Sequence, residues 1–163
     1  MPGFRKYAAT VAIFASGLFL ALLIAAFGVI SLLSGTEVIA DRRAGELAGP
    51  VAAAAATLLV IGCLLLIALR VPESRQRVAP LAAAGIGVGA YLAWALFAAL
   101  AFLLGRGDPV GALIFFGGLL TGPFAICAGI IAFVVALLYT LVLASRVAER
   151  GRPRWPWERD EDE

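Results

Sequence analysis

Residues 109–145 read PVGALIFFGGLLTGPFAICAGIIAFVVALLYTLVLAS, 37 consecutive residues without a charged side chain. As one straight α-helix this run would extend about 55 Å at about 1.5 Å per residue, whereas the hydrocarbon core of a bilayer is about 30 Å thick. The run contains its own means of breaking. Pro123 lacks the N–H that would bond the Leu119 carbonyl, its ring clashes with the preceding turn, and Gly117, Gly118 and Gly122 weaken the helix around it. The sequence therefore predicts a kink at Pro123. The part before it would tilt into the interface or cap a bundle, and residues 124–145 would complete a membrane crossing. A break at membrane depth has two meanings. It can present backbone carbonyls to an ion or substrate, as in the discontinuous helices of transporters, or it can be a bend whose freed groups are satisfied by neighbouring helices.

Working outward, three further runs lack Asp, Glu, Lys and Arg: 8–33, 49–69 and 79–104. Each reaches the roughly 20 residues that a membrane-spanning helix needs. The chain is 63% hydrophobic and only 15% charged, a composition no soluble domain of this size carries. The runs are continuously apolar rather than alternating with period two, which excludes barrel strands. Arg5 and Lys6 before the first run suggest a signal peptide, but the run is longer than the roughly 7 to 15 residues of a signal h-region and reads as a retained anchor. The predicted fold is an all-α polytopic membrane protein, a bundle of four transmembrane helices over residues 1–145 with the fourth kinked, followed by a charged, disordered tail at 146–163.

Basic residues set the orientation. In the four-span arrangement Arg5, Lys6, Arg70, Arg75, Arg77, Arg146, Arg150, Arg152, Arg154 and Arg159 share one side, against Arg42, Arg43 and Arg106 on the other. Arg and Lys accumulate on the cytoplasmic side, so both termini are expected there, in the plasma membrane. In the short turn GRGDP, Asp108 is placed to cap the following helix and Pro109 to occupy its first position. The tripeptide Arg106 to Asp108 is explained by that helix start without an adhesion role. In the other outer loop, Thr36 and Glu37 suggest a short amphipathic helix carrying Val38, Ile39 and Leu47.

Helix contacts are predicted from small residues, because close backbone packing is the main specific attraction between helices in lipid. Gly118, Gly122, Ala125, Gly129, Ala132 and Ala136 recur at alternating steps of four and three, and Gly85, Gly89 and Ala93 recur at steps of four, as do Gly17, Ala21 and Ala25. Such faces serve packing within one bundle, a homo-oligomer or a membrane-protein partner equally well. Tyr91 and Trp94 lie near the centre of the third span, away from the interfacial belts, and their O–H and N–H need partners there. Together with Thr57 or Thr121 they would line a small polar cavity, or they would bond neighbouring carbonyls.

Chemistry-bearing patterns are few. The chain has no histidine and no carboxylate within a span, which argues against proton-coupled transport and ion pumping. The glycines of GIGVGA (85–90) lie inside a span instead of between a strand and a helix, so nucleotide binding fails on context. Cys63 and Cys127 are isolated and read as small buried apolar residues. No catalytic residue, cofactor, metal or nucleic-acid site is expected. In the tail SRVAERGRPRWPWERDEDE, the arginines up to Arg152 and Arg154 precede Trp155 and Trp157. That combination suits anionic headgroups, at about 1 kcal/mol per basic residue near the surface, before the acidic last residues lift away.

The segment KYAATVAIFASGLFLALLIAAFGVISLL (6–33) leading into TEVIADRRAGELAGP (36–50) resembles small four-span membrane proteins of high-GC actinobacteria that have no assigned function. The resemblance implies a plasma-membrane protein with an Arg-rich cytoplasmic tail and brings no catalytic residues with it. Two functions remain in view at this stage. One is a membrane interaction or accessory subunit that packs through its small-residue faces; the other is a small permease, channel or flippase component.

Overall fold

The structure, a computed structural model, describes residues 2–35, 37–39, 48–72 and 78–150. Five helices are formed: α1 (Pro2–Ser34), α2 (Ala48–Arg70), α3 (Pro80–Arg106), α4 (Pro109–Thr121) and α5 (Pro123–Arg150). α1, α2, α3 and α5 are long and apolar enough to cross a membrane, and α4 is a shorter apolar helix. The protein is thus all-α over its described residues, with the multi-pass composition read from the sequence. The helices outrun the uncharged segments at their ends. α1 takes in Arg5 and Lys6, and α2 and α3 finish on Arg70 and Arg106, cations that complement a helix C-terminus. The charged tail from Arg152 through Arg154, Trp155 and Trp157 lies outside the described residues, as do Arg42, Arg43 and Leu47 between α1 and α2.

The helices close into a ring in which α1 packs on α2, α2 on α3, α3 on α5 and α5 back on α1. α2 shows how composition permits this, because its buried residues are Ala48, Ala52, Ala56, Val60, Leu64 and Ala68, one every four residues. Small side chains at that spacing let neighbouring backbones approach closely. Bulk comes from the partners. Phe19, Leu23 and Phe27 of α1, Trp94 of α3, and Phe124, Val135, Tyr139 and Leu143 of α5 fill the interior between the alanines. At one end of the ring the Arg146 guanidinium of α5 lies 4.8 Å from the ring centre of Tyr7 on α1, which brings the start of α1 and the end of α5 together.

At the opposite end α3 turns into α4 by the local chemistry the sequence predicts. Gly107 adopts φ 67°, the left-handed conformation that glycine accepts freely, and its N–H bonds the Leu103 carbonyl at 2.7 Å to close α3. Asp108 then caps α4, its Oδ1 accepting from the Gly111 N–H at 3.0 Å, and Pro109 opens the helix. α4 folds back along α3, with Phe115 stacked on Phe102 at 5.1 Å between ring centres. Ala48 and Ala112 complete this small second cluster.

The small-residue faces sort differently from the sequence expectation. On α1 the residues turned inward are Phe4, Ala8, Ala12, Ser16, Phe19, Leu23 and Phe27, whereas Gly17, Ala21 and Ala25 are exposed and Gly17 has no neighbour within 4 Å. Two rows of small residues run along α1, and the buried row is the one continued by aromatic bulk. Gly85 and Gly118 also face open space, while a Cβ added at Gly89 would stand 3.3 Å from the Leu59 side chain. Ala125, Gly129, Ala132 and Ala136 do lie toward the bundle on α5. Gly118 and Gly122 do not continue their row, because Gly122 is extended and the helical register is lost before Ala125.

Candidate functional site

The most unusual backbone in the apolar part of the chain is the junction of α4 and α5. Gly122 stands between the two helices with extended dihedrals, φ −76° and ψ 149°, so the uncharged run is two helices meeting at a single non-helical residue. Such a junction leaves carbonyls at the end of α4 without the N–H groups of a following turn. Three of them have other donors. The Gly122 N–H bonds the Leu119 carbonyl at 3.1 Å, the Thr121 hydroxyl donates to the Gly118 carbonyl at 3.0 Å, and the Tyr91 hydroxyl reaches across from α3 to the Leu120 carbonyl at 2.7 Å. A Cβ added at Gly122 would first meet carbonyl atoms of its own preceding turn, the Leu119 oxygen at 3.3 Å.

Tyr91 therefore closes the end of α4, and its hydroxyl is engaged with a backbone carbonyl instead of lining an open polar cavity. Thr121 is exposed and bonded locally. Trp94 is enclosed on all sides, with its ring set edge-to-face against Phe27 at 5.7 Å, and Phe27 in turn set edge-to-face against Phe124 at 5.3 Å. Its indole Nε1–H has no hydrogen-bond partner. Tyr91, Trp94 and Thr121 thus occupy three separate environments.

Below the junction α3 and α5 make their tightest approach. A Cβ added at Gly87 would stand 2.9 Å from the Gly129 carbonyl oxygen, and one added at Gly129 would stand 3.0 Å from the Tyr91 Cβ and 3.1 Å from the Gly87 carbonyl oxygen. On the outer side of this crossing the missing side chains leave a groove of about 290 Å³, lined by Ala84, Gly87, Val88, Tyr91, Ile126, Gly129, Ile130 and Phe133.

One polar residue at the centre of the packing escaped the sequence reading. Tyr139 is buried, and its hydroxyl lies 3.2 Å from the Ala8 carbonyl of α1 and 3.3 Å from the Leu64 carbonyl of α2, joining three helices. Its signal was available, since a tyrosine inside an uncharged run needs a partner for its O–H just as Tyr91 does. Several other hydroxyls bond within their own helices: Ser16 to the Ala12 carbonyl, Thr57 to Ala53, Thr140 to Leu137 and Ser145 to Val142. Thr57 is thereby apart from Tyr91 and Trp94. Cys63 and Cys127 are free thiols, each half-buried. No group of three His, Cys, Asp or Glu residues comes together among the described residues.

No curated protein and no solved structure matches the chain. A family match covers residues 1–163 in full, and the chain belongs to the family of unknown function DUF6121.

Proposed function

We propose that this protein is an integral membrane accessory or interaction subunit of the plasma membrane, without chemistry of its own, and that both termini face the cytoplasm. The observation that carries the reading is the state of the helix break. Where a transporter would offer free carbonyls, the Gly118, Leu119 and Leu120 carbonyls are bonded by Thr121, Gly122 and Tyr91. The interior is built from alanine, aliphatic and aromatic side chains, and toward the other end of α5 Tyr139 is bonded to backbone. A bundle of this kind excludes water and supports partners through its outer faces. The orientation rests on the excess of basic residues at the end where Tyr7 and Arg146 meet. The tail from Arg146 onward, with Arg152, Arg154, Trp155 and Trp157, supplies contact with anionic headgroups.

The alternative, a small permease, channel or flippase component, predicts a water path through the ring. Single cysteines at Ala56, Ala90 and Ala132, each fully enclosed in a different helix, distinguish the two in a background with Cys63→Ala and Cys127→Ala. In proteoliposomes a membrane-impermeant maleimide is expected to label none of the three until the protein is denatured. Labelling of two or more in the folded protein would favour the permease.

A further inference from the structure

We infer that the end of the bundle where α1, α2 and α5 gather their cations holds the phosphate of one anionic phospholipid, seated between Arg146 and Lys6. The register comes from the interior. The Tyr139 hydroxyl reaches both the Ala8 and the Leu64 carbonyl, so those two residues lie at one level of the ring. From that level Lys6 lies about 3 Å and Arg5 about 4.5 Å along α1, and Arg70 about 9 Å along α2, at about 1.5 Å per residue. These displacements share one direction. The start of α1 meets the end of α5 through Tyr7 and Arg146, and Ala48, at the far end of α2, packs beside Phe102 and Ala112 where α3 passes into α4.

Depth follows from the charges themselves. Beyond the uncharged runs 8–33, 49–69 and 109–145 the first charged residues at this end are Lys6, Arg70 and Arg146. An ammonium or guanidinium is costly in hydrocarbon, and its aliphatic stem lets it reach outward, so these residues stand at the headgroup level of one leaflet. Arg5, Lys6, Arg70 and Arg146 are exposed, and none forms an ion pair with another described residue. Arg146 is also held in place. Its guanidinium lies over the Tyr7 ring at 4.8 Å, which occupies one face and leaves the N–H edge, a fork that matches two oxygens of a phosphate. Lys6, beside Tyr7 in the chain, adds a point charge. Phosphatidylethanolamine brings an ammonium of its own that Lys6 and Arg146 repel, so the arrangement favours a headgroup with net negative charge.

The inference rests on the chain being integral to a membrane and not on which side its termini face. Native mass spectrometry of the full chain in mild detergent, offered phosphatidylglycerol and phosphatidylethanolamine in equal amounts, tests it. The wild-type protein is expected to carry one phosphatidylglycerol in preference to phosphatidylethanolamine, and millimolar glycerol phosphate should not displace it. Lys6→Gln combined with Arg146→Gln should weaken phosphatidylglycerol binding about thirtyfold, whereas Arg106→Gln at the opposite end should change it less than about twofold. Tyr7→Leu keeps the net charge but frees Arg146 from its stack, and should cost about threefold. Circular dichroism is measured on every variant; should the double variant fail to fold, Tyr7→Leu provides the comparison. Equal binding of the two lipids overturns the inference, as does a preference that survives in the folded double variant, which would belong to the arginines of the tail. Displacement by glycerol phosphate would assign the site to a soluble phosphate and overturn the lipid as its occupant. Each of these results leaves the membrane reading standing, which fails separately if the chain stays in solution without detergent.

Discussion

Replacing Tyr91 with phenylalanine removes one oxygen and leaves the ring that packs between α3 and α5. What it takes away is a donor to the Leu120 carbonyl, at 2.7 Å, where the break at Gly122 has separated that carbonyl from the next helical turn. Hydrogen bonds between membrane helices average about 0.6 kcal/mol and reach about 1.7 kcal/mol, because the unfolded state in lipid also finds partners. A carbonyl left without any partner adds a desolvation cost of about 1 to 3 kcal/mol. Leu120 is half-buried and lies on the apolar side of the chain, so water relieves little of this. The expected loss is about 2 kcal/mol, roughly a thirtyfold change in the folding constant. Unfolding by SDS titration in mixed micelles, followed by far-ultraviolet circular dichroism, measures it. Thr121→Val is the control, since it removes an exposed, local bond to Gly118 and should cost less than about 0.5 kcal/mol. Pro123→Ala gives a sharper comparison. Alanine restores an N–H and removes the ring clash, allowing the helix to close across Gly122 and the Phe124 N–H to take over Leu120. Tyr91→Phe should then cost less than half as much in the Pro123→Ala background. Additivity to within about 0.4 kcal/mol would refute the view that Tyr91 serves the break.

Gly87→Ala and Gly129→Leu should each lower stability by about 1 to 3 kcal/mol, because the added atoms meet backbone oxygens that cannot move aside; Gly17→Ala and Gly85→Ala, with nothing within 4 Å, should melt within about a degree of the wild type in detergent. Tyr139→Phe should cost about 0.6 kcal/mol in the same SDS titration, less than Tyr91→Phe, since the Ala8 and Leu64 carbonyls sit inside regular helices and keep their own turn partners. Reporter fusions at Glu163 should be active only with a cytoplasmic reporter, and insertions beside Arg42 only with an exported one; the reverse pattern would overturn the orientation.

The parts of the fold that were legible in sequence are those decided within a few residues. Hydropathy over a window the length of a span locates α1, α2, α3 and α5, and the pairing of Asp108 with Pro109 locates the start of α4. Contact faces are decided by partners, and here composition obscured them. α1 carries Ala8, Ala12 and Ser16 beside Gly17, Ala21 and Ala25, two rows with the same spacing, and only the first is extended by Phe19, Leu23 and Phe27 into the space left by alanines on α2 and α3. Spacing alone cannot choose between them. On the last run Ala125, Gly129, Ala132 and Ala136 lie toward the bundle and Gly118 does not, since the break at Gly122 cancels any register carried across it.

The polar residues were harder, because each needs a partner and the partner is set by the packing. Tyr91 looked like a cavity residue until the break delivered the Leu120 carbonyl to its hydroxyl. The same demand applied to Tyr139 would have marked it as a junction residue, even without knowing that Ala8 and Leu64 would answer. A donor left open inside the bundle is costly, as the unpartnered Trp94 Nε1–H is here, so the useful question for a tyrosine in an uncharged helix is which backbone has been left open for it. In this chain the open backbone was predictable from Pro123, and the residue opposite it on α3 follows from the antiparallel return of α4 after a turn as short as Gly107 and Asp108. A break whose carbonyls are already held by side chains from the same fold is a support for the bend.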